Sequence, residues 1–200
     1  MKLRVLVGCE FSGVVREAFR KRGHDAVSCD LLPTEIPGQH IQGDVLEFLD
    51  SPSGRGIDLL IAHPPCTYLT IAANGWAKQP GRAEKRAAAI RFFVALHDAD
   101  VPRVCVENPI GILSTEFRKP DQIIQPHWFG HDTRKATCLW LRGLPPLMAT
   151  ALTIPESVKG VSPKGKKYYS LNWLPRNDER WKIRSRTFQG VADAFAEQWG

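Results

Sequence analysis

Two hundred residues, 43% of them hydrophobic, are enough for one domain, or for one domain with a small appendage. No apolar run reaches the roughly 18 residues of a membrane-spanning helix, and the start, Met1-Lys2-Leu3-Arg4, lacks the apolar stretch of a secretory signal. A cytoplasmic protein without membrane contact is therefore expected. The net charge of +6 is concentrated in residues 159–186, where nine Lys/Arg stand against two Asp/Glu and leave the remainder near neutral. The five cysteines (Cys9, Cys29, Cys66, Cys105, Cys138) are widely spaced and odd in number, with no Cys-x-x-Cys pair and no zinc-like Cys/His spacing. Free thiols in a reducing compartment and no metal site are expected.

The chain opens on Leu3-Arg4-Val5-Leu6-Val7-Gly8, a short β-rich apolar run. Cys9-Glu10-Phe11-Ser12-Gly13 is a turn, and Val14, Val15, Ala18 and Phe19 then repeat at helical spacing until Gly23. Strand, glycine-containing turn and helix are the opening of a nucleotide-type α/β unit, with Gly13 permitting close backbone approach to a ligand. A second strand, Ala26-Val27-Ser28-Cys29, ends in Asp30. An acid there either holds a ribose hydroxyl pair or lies in a surface loop. Asp44 either accepts from an adenine amino group or caps the short helical piece that follows it.

The next strand, residues 57–62, runs into His63-Pro64-Pro65-Cys66-Thr67. Proline lacks a backbone N–H, so two in succession end strand pairing and stiffen the loop. Cys66 is thus held outside the carboxyl edge of the sheet, where open α/β sheets bind ligands. It reads either as a presented nucleophile or as a small thiol beside a turn. Residues 67–82 are polar and punctuated by Tyr68, Asn74 and Trp76, long enough for a lid. Residues 83–99 read as the best helix of the chain. Residues 101–106 read as a strand that ends abruptly in Glu107-Asn108-Pro109. If the two strands are neighbours, Cys66 and Glu107 face one pocket, and burial there would raise the carboxyl pKa into a range useful for proton transfer.

Residues 114–133 look irregular, and Arg134-Lys135 precede a strand at residues 136–141. Residues 150–180 show little periodicity. Within the basic segment Tyr168, Tyr169, Trp173 and Trp181 alternate with cations such as Lys166, Lys167, Arg184 and Arg186. Rings among cations can stack on bases while the cations meet phosphates, which points to a nucleic-acid partner. The end is amphipathic, with Phe188, Val191, Ala192, Phe195 and Trp199 on one face, and reads as a docking helix.

The order of these pieces resembles the cytosine-C5 DNA methyltransferases, in particular compact phage or prophage forms. Phe11-Ser12-Gly13 resembles that family's Phe-x-Gly cofactor turn, with Val15 where its second glycine would stand. Pro65-Cys66 resembles its nucleophile motif, and Glu107-Asn108, about forty residues on, its Glu-Asn-Val motif with Pro109 for Val. Arg134 and Lys135 resemble an abbreviated basic motif. The resemblance implies a Rossmann-like fold with a mostly parallel sheet and helices on both faces, and S-adenosyl-L-methionine as cofactor, held by Phe11, Ser12, Gly13, Asp30, Asp44 and Pro65. It implies Cys66 as nucleophile, Glu107 as the group stabilising the attacked base, and Arg134 as orienting residue. Asn108, Lys135, Lys166, Lys167, Arg184 and Arg186 would contact DNA. Residues 1–147 and 187–200 would form the catalytic domain, and 148–186 a short insertion in place of a target-recognition domain. A partner protein supplying specificity is compatible with so short an insertion.

Two rivals share these residues. An amino-methyltransferase would use an acidic or amide residue before Pro-Pro and an aromatic after it, positions that hold His63 and Cys66 here. A non-catalytic nucleic-acid binder would keep the basic segment and leave Cys66 without a role. RNA is open as an alternative to DNA.

Overall fold

The computed structural model describes residues 1–71, 79–154, 160–161, 165, 167–168 and 179–200. Strand β1 (Arg4–Gly8) leads to helix α1 (Val14–Lys21), then β2 (Asp25–Asp30), β3 (His40–Gln42), α2 (Val45–Asp50) and β4 (Leu59–Ala62). Helix α3 (Arg82–His97), β5 (Arg103–Pro109), α4 (Leu113–Glu116), β6 (Gln122–Ile124) and β7 (Thr137–Arg142) follow. A short antiparallel pair, β8 (Gly160–Val161) and β9 (Lys167–Tyr168), precedes α5 (Arg180–Ser185) and α6 (Gln189–Trp199).

One seven-stranded sheet has the order β3-β2-β1-β4-β5-β7-β6. Neighbours from β3 to β5 are parallel, and β7 alone runs against its neighbours. The four buried residues of β4, Leu-Leu-Ile-Ala, are apolar without alternation because both of its faces are covered. Side chains nevertheless alternate between two cores. Val5, Val7, Leu59, Ile61, Leu139 and Leu141 pack with Phe19 of α1 and with Phe195 and Trp199 of α6. Leu6, Leu60, Ala62, Val104, Val106 and Trp140 pack with Phe93 and Leu96 of α3. Helices on both faces of a mostly parallel sheet are the architecture expected from the sequence.

Three differences bear on the site. The strand expected over residues 101–106 extends through Glu107, Asn108 and Pro109, because antiparallel β7 pairs with all three. Pro109 fits at the end of a strand, where a missing N–H costs least. The stretch expected to be irregular contains α4 and β6, the latter recruited as an edge strand by β7. Three-residue β3 was also missed; it is held by pairing to β2 rather than by any apolar pattern of its own.

Arg16 is fully buried on α1. Its Nη1 donates to Ser28 Oγ at 2.9 Å and Thr34 Oγ1 at 3.2 Å, its Nη2 to the Ile36 carbonyl at 2.6 Å, and its Nε meets Glu17 at 2.8 Å. It fastens the loop after β2 onto α1. Replacing it with Met removes every one of these donors and leaves buried acceptors unpaired, so Arg16→Met is expected to cost about 3 kcal/mol. Urea unfolding of the variant beside wild type checks this through the shift in midpoint.

Candidate functional site

Gly8 ends β1, and Cys9 then takes a left-handed conformation with φ 56°. The turn places the Glu10 carboxylate under the start of α1, where it accepts from the amides of Val15 (2.6 Å) and Arg16 (3.2 Å) and from Ser12 Oγ (3.3 Å). Burial pushes the Glu10 carboxyl above its ordinary value, while His63 and these hydrogen bonds act in the opposite direction. Gly13 has φ 73°, and a Cβ there would lie 2.8 Å from Arg16 Nη2, so only glycine fits. Ser12 and Phe11 are buried in the turn, Phe11 against Trp181 of α5 with ring centroids 5.8 Å apart.

Beside this turn, outside the ends of β1 and β2, lies a cleft of ≈ 580 Å³. Asp30, Asp44, Pro65, Tyr68, Lys85 and Phe92 are among its walls. Of the six residues assigned to a cofactor from the sequence, Asp30, Asp44 and Pro65 share this cleft. Phe11, Ser12 and Gly13 shape the turn behind it. Asp44 does cap α2, accepting from Leu46 N at 2.7 Å and Glu47 N at 3.4 Å, and it lines the cleft as well. Asp30 accepts from Leu32 N at 2.9 Å, and burial pushes its carboxyl above the ordinary value.

The Pro64-Pro65-Cys66 loop forms the far wall. Parallel pairing of β4 with β5 stops at Ala62 opposite Val106, so β5 runs on alone on that side from Glu107. Asn108 Nδ2 crosses the gap and donates to the Pro64 carbonyl at 2.9 Å. That side chain is buried, 1% exposed at residue level. Asn108 therefore positions the loop, which corrects its expected role as a nucleic-acid contact. Beyond the prolines the amides of Leu69 and Thr70 return to the Cys66 carbonyl at 3.0 and 3.1 Å, and Cys66 is exposed at the tip. Residues 72–78 of the expected lid lie outside the described residues; Tyr68, which begins it, sits 5.1 Å from the Arg82 guanidinium.

Glu107 lies on the open side of β5. Its Oε2 is 3.3 Å from His63 Nδ1, and the Thr137 hydroxyl also bonds it. Burial opposes ionisation of Glu107, but the His63 hydrogen bond, the Lys135 ammonium and Thr137 together hold its carboxyl below the ordinary value. The raised value expected from burial alone is therefore corrected. Around Cys66 the balance is reversed. Although Cys66 is exposed as a residue, the protein packed around its sulfur, and then the negative charge of Glu107, push the thiol up, while Lys135 and Arg184 pull it down without cancelling them. Arg134 is exposed on the loop before β7, and the basic side chain that acts on both Cys66 and Glu107 is its neighbour Lys135.

A small second pocket of ≈ 30 Å³ has His63, Glu107, Lys135, Thr137, Arg186 and Phe188 in its walls. It has room for about one water, so a larger ligand requires its rim to move. Arg186 is held by a bidentate ion pair with Glu35 at 2.7 and 2.8 Å, and the Arg184 carbonyl accepts from Lys135 Nζ at 2.9 Å. Lys166 lies outside the described residues, and of Lys167 only the backbone, in β9, is described. The residues that sequence reasoning missed are His63 and Glu10. His63 could have been found from its place directly before Pro-Pro-Cys. Glu10 offered no signal beyond lying in the first turn.

No protein-family model and no curated protein matches this chain. Among solved structures it resembles an E. coli prophage protein described as a DNA modification methyltransferase, at 15% identity and TM-score 0.48 over 70% of this chain and 46% of that one. It also resembles the S. pombe Dnmt2 methyltransferase (14%, TM-score 0.42, 73% and 51%) and the Entamoeba histolytica methyltransferase EhMeth (14%, TM-score 0.45, 88% and 61%). The fold is Rossmann-like, a mostly parallel sheet with helices on both faces and one antiparallel strand, β7. The chain spans about half the length of the first two proteins. Among the described residues no helix is long and apolar enough to cross a membrane.

Cys66 is the exposed thiol of the five; Cys9 is half-buried and the others are buried. A raised pKa means less thiolate at any given pH, so the iodoacetamide reaction at Cys66 should titrate above the range of an ordinary cysteine. Lys135→Ala should move that midpoint further up and Glu107→Gln should move it down. Mass-spectrometric labelling rates between pH 7 and 10 measure all three.

Proposed function

We propose that this protein is an S-adenosyl-L-methionine-dependent methyltransferase acting on C5 of cytosine in DNA. The observation that carries this reading is that Cys66, on the loop after β4, and Glu107, on the neighbouring strand β5, lie within electrostatic reach of each other, with Pro65 and Thr67 of the same loop in the wall of a nucleoside-sized cleft.

The cleft fits the cofactor by its donor set. Two carboxylates at strand ends retain acceptor capacity for ribose hydroxyls and an adenine amino group, and Leu31, Val45 and Phe92 supply apolar wall for a ring. Asp30, Asp44 and Pro65 would hold it, with the Phe11 to Gly13 turn as backing. The cofactor, when bound, supplies an electrophilic methyl group.

Cytosine C5 is a poor nucleophile until C6 carries an added group. The Cys66 thiolate forms a bond to C6, and negative charge develops across C5 and N3 of the ring. Glu107 faces that side of the base, with one oxygen accepting from the exocyclic amino group and the other, once it carries a proton, donating to N3 as the charge develops there. C5 takes the methyl group, a base removes the C5 proton, and the C6–S bond breaks to restore the ring and the thiolate. Lys135 and Arg184 favour the thiolate and act against the burial that otherwise keeps the thiol protonated. A cytosine in a duplex must leave the stack to reach Cys66, and its entry requires Arg186 and Phe188 to move from the rim of the small pocket. Lys135, Arg184, Arg186, Lys166 and Lys167 supply cations for the DNA backbone. Residues 148–186 take the place of a target-recognition domain between the two parts of the catalytic unit.

The test is methyl transfer from labelled S-adenosyl-L-methionine to single-stranded DNA, duplex DNA, RNA and free cytidine nucleotides. Label in C5 of cytosine is expected with wild type. Cys66→Ala should lower turnover by at least about 10³-fold with cofactor binding retained. A covalent adduct with 5-fluorocytosine DNA is expected for wild type alone. Label confined to RNA would change the substrate. Full activity of Cys66→Ala, or failure of wild type to bind the cofactor, would overturn the reading.

A further inference from the structure

His63 is not explained by the chemistry above, yet it has the most constrained position in the site. It follows the last residue of β4 and directly precedes Pro64-Pro65-Cys66. Its amide continues the sheet by donating to the Gly8 carbonyl at 2.9 Å. Its side chain is 9% exposed, with Nδ1 at 3.3 Å from Glu107 Oε2. Nε2 is buried with no hydrogen-bond partner among the described residues. An imidazole fully enclosed on one nitrogen and paired to a carboxylate on the other is costly to keep for packing alone.

The surrounding charges are arranged around it. Glu107 of β5 bonds it directly. Glu10, in the turn after β1, and Asp30, at the end of β2, both feel its charge. Lys135, before β7, acts on Glu107 and shares the small pocket with His63 and with Arg186 beyond α5. Three carboxylates from three elements thus interact with one imidazole, Glu107 by direct contact, and Lys135 and Arg186 share the small pocket with that pair.

On the reading that Cys66 attacks cytosine, we infer that His63 is a positioning residue that stores the proton Glu107 delivers to the base. In the resting site an imidazolium, with a proton on each nitrogen, stands against an ionised Glu107, and its Nδ1 proton is shared with Oε2. As the C6–S bond forms, that proton passes from Nδ1 to Oε2 and on to N3, leaving a neutral imidazole and an ionised Glu107. When the C5 proton leaves and the C6–S bond breaks, N3 returns its proton to Glu107 and so to His63. The proton inventory of the cycle closes without exchange with solvent at N3. An ionised Glu107 is then no obstacle to N3 protonation, because its donor is the ring it leans on. The Nδ1 contact and the Asn108–Pro64 bond also brace the Cys66 loop to β5 from two sides.

The experiment compares wild type, His63→Gln and His63→Asn. Gln can still donate to Glu107 but cannot release the proton. For His63→Gln, cofactor binding and thermal midpoint near wild type are expected. The kcat should fall about 10²-fold with KM little changed, and the alkaline limb of the kcat–pH profile, where wild type loses the stored proton, should disappear. His63→Asn, shorter and unable to reach, should lose in addition the rate of adduct formation with 5-fluorocytosine DNA. Wild-type kcat and pH profile in both variants would overturn the inference while leaving the Cys66 reading intact. A parallel loss of cofactor binding or of fold in both would reduce His63 to a structural brace and overturn it too. Absence of wild-type methyl transfer and adduct would remove the Cys66 reading, and this inference with it.

Discussion

The site depends on a mismatch in length between two paired strands. β4 stops at Ala62 because Pro64 and Pro65 cannot supply ladder donors, whereas β5 continues to Pro109 because β7 holds its other edge. Three residues of β5 are therefore rigid on one side and open on the other. Alternation along the strand turns Glu107 toward the site and Asn108 back under the loop, where it satisfies the Pro64 carbonyl. The same two prolines that end the pairing carry Cys66 outward. Reactive side chains placed on a paired strand and a proline-stiffened loop are better fixed than side chains on free loops.

Charge is distributed around that geometry with a clear division. Glu107 has its countercharges close by in His63 and Lys135, so it ionises more readily than an ordinary carboxyl despite burial. Cys66 feels the same Lys135 from farther along the balance, with burial and Glu107 against it, so it rests as a thiol. Both groups are tied to one cation on the loop before β7, and Lys135 is itself held through its ammonium to the Arg184 carbonyl. A change at α5 therefore reaches both Cys66 and Glu107. The closeness of Arg186 and Phe188 to Glu107 makes the same helix end the rim of the small pocket.

Much of the frame was legible in the sequence for simple reasons. The strand-turn-helix opening, the Pro-Pro-Cys end of β4 and the amphipathic last helix each follow from local composition. What was not legible rests on contacts across long sequence separations. Strand β6 exists because β7 pairs with it, and residues Gln122–Ile124 carry no pattern that announces it. The direction of the Glu107 shift needed His63, forty-four residues earlier, and a basic residue from a third element. Motif spacing draws attention to Arg134, while the basic residue that acts on both Cys66 and Glu107 is its neighbour Lys135, in the loop before β7. The motif makes Asn108 an expected DNA contact, and only its burial and its bond to the Pro64 carbonyl show that it serves the loop.

The basic segment has a firmer link to the catalytic core than its sequence shows. Trp181 lies against Phe11, and the Arg186 guanidinium grips Glu35 with both nitrogens in the paired geometry that suits a carboxylate. Glu35 is in turn fixed by its own amide on the Phe11 carbonyl at 2.8 Å, in the loop that Arg16 fastens to α1. The end of the basic segment is thus docked on the turn beside the cleft that Asp30 and Asp44 line. A polyanion that drew Arg186 away from Glu35 would loosen the rim of the small pocket and the cover over Phe11 in one movement. The exposed ion pair is a weak latch by itself, worth about 1 kcal/mol or less, which is the magnitude a binding phosphate can readily displace.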